Sequence, residues 1–193
     1  MNTIRSVCVY CGSSPGRGQK YVEAGQILGR SIAQAGLRLI YGGGTKGIMG
    51  AVADGAMRGG GKVTGIIPRF LISKEATESA LDRLDQLIVT QNMHERKHRM
   101  FEESDAFVAL PGGIGTVEEI VEIMTWAQLG HHRKPIVFAN VDGFWDPMLE
   151  LLDHMRAEGF IHTSHLVKPI VVAEPEQVVP TILVEAAADG APA

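Results

Sequence analysis

Two short segments carry the residues best suited to chemistry. "NMHERKHRM" (92–100) sets Arg96 and Lys97 side by side, and "LPGGIGTVEE" (110–119) ends in Glu118 and Glu119 behind a turn with three glycines in four residues. A glycine-rich turn that opens a helix offers free amides and the positive end of a helix dipole to an anion. A carboxylate just behind it suits a different partner: it can hold sugar hydroxyls, stabilise a developing cation or orient water. Met93, Arg96, Lys97 and Met100 follow i, i+3, i+4, i+7, the spacing of a core-facing helical stripe. Two cations on such a stripe are costly unless an anion meets them. That anion is either a protein acid (Glu95, Glu102 or Glu103) or a ligand.

Other patterns carry less. His94–His98 reads H-E-x-x-H, the zinc-protease spacing, but Arg96 and Lys97 place two fixed cations where a dication would sit. No metal site is expected. Thr116-Val117-Glu118-Glu119 also matches a capping box, in which Glu119 would close a helix start rather than serve a substrate. Glu118 reads as a solvated first-turn acid. Gly42, Gly44 and Gly47 satisfy G-x-G-x-x-G, yet they follow the second strand rather than the first, and no acid ends the next strand. A nicotinamide dinucleotide is therefore not expected, and Gly-x4-Gly-Lys-Ser/Thr is nowhere matched. Cys8 and Cys11 form a lone C-x-x-C whose members alternate across a strand and read as buried or rim-lining thiols.

The elements that must position these residues alternate strictly. Runs at 4–10, 37–43, 62–68, 86–91, 106–111, 134–140 and 168–173 read as strands, several of them nearly continuous Val/Ile/Leu/Ala. Helical patterns lie between them, for example 19–36 and "TVEEIVEIMTWAQLG". The expected fold is α/β: a doubly wound, Rossmann-like parallel sheet of about seven strands with helices on both faces. One nucleotide-binding domain over residues 1–185 is expected, with 186–193 as a fraying tail. Residues 69–85 form the one long connection, a candidate lid. Ligands of such sheets bind beyond the carboxyl ends of the strands. There the turns 11–18, 41–50, 90–97 and 110–119 concentrate Gly, small hydroxyls and charge, with Ser13, Gly43, Gly44, Thr45 and Thr116 as candidate phosphate contacts.

A net charge of −4 provides no electrostatic footprint for nucleic acid or an anionic membrane surface. No apolar run approaches the ~20 residues of a membrane span. Two cysteines in 193 residues fit a reducing compartment, so a cytoplasmic location is expected.

Taken together, "YGGGTKGIMG" (41–50), "MHERK" (93–97) and "PGGIGTVEE" (111–119) resemble the LONELY GUY (LOG) family, often labelled lysine decarboxylases. The resemblance runs from the first strand to about residue 175, with residues 74–86 longer or more divergent than in many relatives. It implies hydrolysis of the N-glycosidic bond of cytokinin riboside 5′-monophosphates, and of AMP, to free base and ribose 5-phosphate. It also implies a homodimer that needs neither metal nor organic cofactor. Arg96 and Glu119 would be the catalytic pair. Met93, Lys97, the run Gly113, Ile114, Gly115, Thr116, Val117, Glu118 and Glu119, and Thr125 would contact the nucleotide. An acid of the long connection, Glu78 or Glu75, would join them. The alternative is a non-catalytic nucleotide or molybdenum-cofactor carrier-like binding protein, which has no need of the Arg96/Glu119 pair. A decarboxylase would instead need a pyridoxal Schiff-base lysine, and no lysine here has a recognisable cofactor context.

Overall fold

A computed structural model describes residues 3–161 and 169–188, with the Glu78 side chain outside the described set. Seven strands form one sheet, parallel throughout: β1 (Ser6–Tyr10), β2 (Arg38–Tyr41), β3 (Val63–Pro68), β4 (Gln86–Thr90), β5 (Ala106–Ala109), β6 (Ile136–Ala139) and β7 (Ile170–Val172). Their spatial order is β4-β3-β2-β1-β5-β6-β7. The chain therefore winds outward from β1 in one direction, then returns across the sheet to β5 and winds the other way. Crossovers of one hand put the helices of each half on opposite faces. Helices α1 (Lys20–Gln34), α2 (Gly47–Arg58) and α8 (Pro175–Ala188) pack one apolar core, around Val7, Leu28, Val52 and Ile182. Helices α5 (Met93–Glu102), α6 (Ile114–Gln128) and α7 (Asp146–Ala157) pack the other, around Phe107, Met100, Ile120 and Leu152. Strand order reverses between β1 and β5, so the loops leaving these strands part to opposite faces and open a crevice between them.

All seven expected strands are present, with trimmed ends. The helices hold three corrections. Residues 69–85 are not one loop: they contain α3 (Arg69–Glu75) and the single turn α4 (Glu78–Leu81). Helix α6 starts at Ile114 with Gly113 as its N-cap, two residues before Thr116, so Thr116 and Glu119 form no capping box. The helix start closed by side chains is that of α5, in a variant of the box that reaches one residue before the N-cap Asn92. Asn92 Oδ1 accepts from the Glu95 amide (2.9 Å), and Glu95 Oε2 accepts from the Gln91 amide (2.8 Å). Helix α8 is absent from the expected patterns, which end with the helix before β7. Pro175 lies at the helix start, where a missing N–H costs nothing, and Pro180 faces outward. Residues 186–188 of the expected tail continue this helix, with Ala186 buried, and 189–193 lie outside the described residues. Among the described residues, no helix is long and apolar enough to cross a membrane.

Helices α1 and α2 approach closely enough that only hydrogen fits between them. A Cβ at Gly29 would stand 2.1 Å from the Val52 carbonyl oxygen, and one at Gly55 would stand 2.3 Å from that of Gln26. Gly29→Ala must push the helices apart and is expected to cost about 2–3 kcal/mol, read as a lower urea midpoint with an unchanged m-value.

Candidate active site

A cleft of about 280 Å³ lies at the switch point, beyond the carboxyl ends of β1, β2 and β5. Cys11–Ser13 and Gly113–Thr116 line it from the two diverging turns, Met49 and Met93 from α2 and α5, and Leu71 and Glu75 from α3. Arg96 and Glu119 form its floor. They are 4% and 6% exposed, and Arg96 Nη1 stands 3.3 Å from Glu119 Oε1. Arg96 is held by its whole fork: Nε donates to the Ile66 carbonyl (3.1 Å) and Nη2 to that of Gly42 (3.2 Å). These are the ends of β3 and β2, so an arginine from one face of the sheet is pinned to carbonyls of two strands. The planar guanidinium permits this, and a lysine would not. The pinning also explains Gly42, because a Cβ there would stand 2.0 Å from Arg96 Nη2.

Burial pushes the Glu119 carboxyl up to about 7; the Arg96 guanidinium acts against that rise, while the Glu118 and Glu75 carboxylates add to it. The group thus changes charge near neutrality, as a working acid or base must.

The two glycine turns are not equivalent. At α2, the amides of Ile48 and Met49 both donate to the Gly12 carbonyl (3.1 Å each), so that helix start is closed by the protein itself. Gly43 and Gly47 are explained by backbone with φ of +75° and +58°. At α6, Gly113, Ile114 and Gly115 are exposed, and a Cβ at Gly113 or Gly115 would meet nothing within 4 Å. No internal contact requires glycine there, and the first-turn amides of this helix have no intrahelical acceptor. Bare backbone facing a cleft is what close approach of a ligand demands.

The remaining expected residues divide. Ser13, Met93, Gly113, Gly115, Thr116, Glu118 and Glu119 line the cleft with Arg96. Val117 is half-buried on the inner side of α6, and Ile114 is 89% exposed. Lys97 is buried beside the cleft and spends its ammonium on Glu118 and on Glu122 (3.2 Å). Glu118 is accordingly an ion-pair partner rather than a free surface acid. Gly43 and Gly44 are buried in the closed turn, and the Thr45 hydroxyl bonds to the chain at Glu75 and Thr77. Thr125 does not line the cleft, its exposed hydroxyl donating to the Val121 carbonyl (2.8 Å). Glu75 lines the cleft; Glu78 cannot be compared with it, its side chain lying outside the described residues. Sequence spacing did not single out Met49 and Leu71, whose roles depend on which helices meet at the crevice. His94 and His98 are exposed, and Glu95 is occupied as a cap. Among the described residues no three His, Cys, Asp or Glu side chains gather as a metal site.

Comparison with known proteins gives the same picture at family level. The profile of a family described as "Possible lysine decarboxylase" matches residues 49–182. The chain is 46% identical over 158 residues to the rice (Oryza sativa subsp. japonica) protein named cytokinin riboside 5′-monophosphate phosphoribohydrolase LOG, covering 82% of this chain and 64% of that one. It is 43% identical over 180 residues to the protein named cytokinin riboside 5′-monophosphate phosphoribohydrolase of Rhodococcoides fascians, covering 93% of this chain and 90% of that one. Among solved structures, TM1055 matches with a TM-score of 0.73 at 23% identity, covering 94% of this chain and 99% of that one. The molybdenum cofactor carrier protein of Chlamydomonas reinhardtii matches at 0.70 and 22%, covering 96% and 99%. At such identities the structural likeness speaks for the fold alone.

The electrostatics of the floor can be tested directly. Arg96→Met removes the cation that opposes burial, so the Glu119 carboxyl should titrate above about 7. Glu118→Gln removes a neighbouring anion and frees Lys97, so the midpoint should fall. Carbon-13 NMR titration of the glutamate carboxyls reads both, and shifts in the same direction would refute this account.

Proposed function

The chain belongs to the family described as possible lysine decarboxylases, the LONELY GUY family of the sequence resemblance, and on that premise we propose that it is a phosphoribohydrolase. Its reaction is hydrolysis of the N-glycosidic bond of adenosine 5′-monophosphates, N6-substituted cytokinin nucleotides and AMP, to the free base and ribose 5-phosphate. The observation that carries this reading is the buried Arg96–Glu119 pair at the floor of a cleft whose one open helix start is that of α6.

In this reading the 5′-phosphate lies on the amides of Gly115 and Thr116, with Ser13 across the cleft. Glu119 is three to four residues beyond those amides, about 5–6 Å along the helix axis, where the ribose of the same nucleotide can reach it. The bond between C1′ and the base nitrogen breaks with its electron pair leaving on the base, and the sugar passes through an oxocarbenium-like state. Ionised Glu119 stabilises that cation and takes a proton from the attacking water as its oxygen bonds C1′; the departing base takes a proton from solvent, and Glu119 returns its own to solvent to reset the site. Arg96 keeps Glu119 ionised enough to act and fixes its orientation, its own fork being committed to backbone carbonyls. Met49, Leu71 and Met93 give the base an apolar wall.

Decarboxylation with pyridoxal phosphate does not fit these residues. Among the described residues no lysine lines the cleft. Burial opposes the Lys97 charge, but hydrogen bonds to Glu118 and Glu122 outweigh it and hold the amine protonated, where a Schiff base needs it neutral. Helix α6 turns Ile114, Val121, Thr125 and Leu129 to one exposed side, which supports a homodimer in which Thr125 serves the neighbouring subunit's cleft. Two buried free thiols suit a cytoplasmic setting.

Incubation with AMP and with N6-isopentenyl-AMP should release adenine or isopentenyladenine together with ribose 5-phosphate. Glu119→Gln keeps the shape and should lose at least about 100-fold in kcat. The value of kcat/KM should fall as pH drops through about 7, because the carboxylate then takes up its proton. Release of base from neither nucleotide would favour a carrier. Val121→Lys with Leu129→Lys should convert a dimer to monomers in sedimentation analysis; an unchanged mass would place the interface elsewhere.

A further inference from the structure

Thr45 stands at a place where sequence patterning suggests a phosphate ligand, yet its hydrogen bonds run elsewhere. Its amide donates to the Glu75 carbonyl (2.9 Å), its hydroxyl donates to the same oxygen (3.4 Å), and that hydroxyl accepts from the Thr77 amide (3.2 Å). The residues it grips end helix α3, which has no buried residue of its own and leaves Phe70 53% exposed. With Leu71 and Ile72 only half-buried, packing holds this helix weakly, so local hydrogen bonds weigh heavily in where it lies. Helix α3 nevertheless supplies Leu71 and Glu75 to the cleft wall.

We propose that Thr45 is a positioning residue whose hydroxyl latches the end of α3 over the cleft, and so sets where Leu71 and Glu75 stand against the substrate. This inference rests on the phosphoribohydrolase reading for its kinetic consequences, though not for the latch itself.

The latch is rooted in rigid backbone. A Cβ at Gly47 would stand 2.4 Å from the Ser13 carbonyl, and the first amides of α2 are bonded to Gly12. At its other end the same turn presents the Gly42 carbonyl to Arg96. One short turn, residues 42–47, therefore holds the floor of the cleft with its first residue and the wall with its fourth. The two meet electrostatically at Glu119. That carboxyl is faced by Arg96 and Lys97 of α5, by Glu118 of its own helix, by the Cys8, Tyr10 and Cys11 side chains at β1, and by Glu75 of α3. Of these groups, Glu75 is the one carried on an element without a core anchor. Its carboxylate favours the protonated form of Glu119, so releasing α3 should let Glu119 ionise at lower pH.

Thr45→Val keeps the side-chain shape and removes the hydroxyl; Thr45→Ala serves as a second variant should valine not be accommodated. Hydrogen exchange followed by mass spectrometry should show residues 69–77 exchanging about 5-fold faster, the scale of one net hydrogen bond, with β1 and α6 unchanged. With N6-isopentenyl-AMP as substrate, kcat/KM should fall about 5- to 10-fold, and the acidic limb of its pH profile should move to lower pH. Glu75→Gln should move that limb the same way, and adding Thr45→Val to it should move it no further. Thr45→Ser, which keeps the hydroxyl, should restore both exchange and pH profile. Unchanged exchange at 69–77, or a limb that Glu75→Gln moves and Thr45→Val does not, overturns the latch. If the wild type releases no base from any nucleotide, the catalytic reading fails while the exchange result still judges the latch.

Discussion

A guanidinium and a carboxylate, both nearly withdrawn from water, face each other across the switch point of the sheet, and the surrounding structure is arranged to tolerate them. Burying either charge alone would be strongly unfavourable, and even the pair repays its desolvation only with further hydrogen bonds. Arg96 finds them at the exposed carbonyl ends of β2 and β3, which a parallel sheet necessarily presents at this rim. Glu119 finds fewer, and the result is a carboxyl lifted to about 7. The asymmetry has chemical use: a fully satisfied carboxylate would be inert, whereas one held at the edge of ionisation can exchange protons and respond to a cation.

The same constraint sorts the glycines. Gly42 is bare so that Arg96 can reach a carbonyl, and Gly47 because its backbone presses on Ser13. These are internal reasons, and they leave the turn before α2 closed. Gly113 and Gly115 have no internal reason, and they border the cleft at the start of α6. One glycine turn thus works as a structural clamp and the other is, in the proposed function, the receptor, although both look alike as strings of letters. The clamp turn holds the floor on one side and, through Thr45, bonds to the end of α3 on the other.

Much of this was legible in the sequence. The seven strands were readable because parallel strands covered on both faces are written as short apolar runs between helical periods. The Met93–Arg96–Lys97–Met100 stripe correctly placed two cations inward, since helical period alone determines which residues share a face. The motifs "MHERK" and "PGGIGTVEE" carried the family. Less legible were helix starts and short helices. A capping box at Thr116–Glu119 matched the pattern, but Asn92 and Glu95 carry the same spacing, and it is their helix start that is capped by side chains; the local letters alone do not say which start the fold leaves open. Helix α8 was not among the readable patterns: Pro175 is harmless at a helix start, but Pro180 gives up an interior hydrogen bond, and the helix is held by burying Val178, Val179, Ile182 and Ala186, which only the tertiary structure provides.

The sequence by itself determined the alternation of elements, hence a doubly wound sheet, and the residue types available at its carboxyl rim. These follow from local periodicity and from the handedness of crossovers, both properties of short stretches of chain. Only the tertiary structure decided which of those residues meet: that Arg96 pairs with Glu119, that Lys97 is consumed by Glu118 and Glu122, that Thr45 grips α3, and that α6 rather than α2 keeps an open helix start. Each of those outcomes joins positions more than twenty residues apart, and depends on distances of a few tenths of an ångström that local periodicity does not encode.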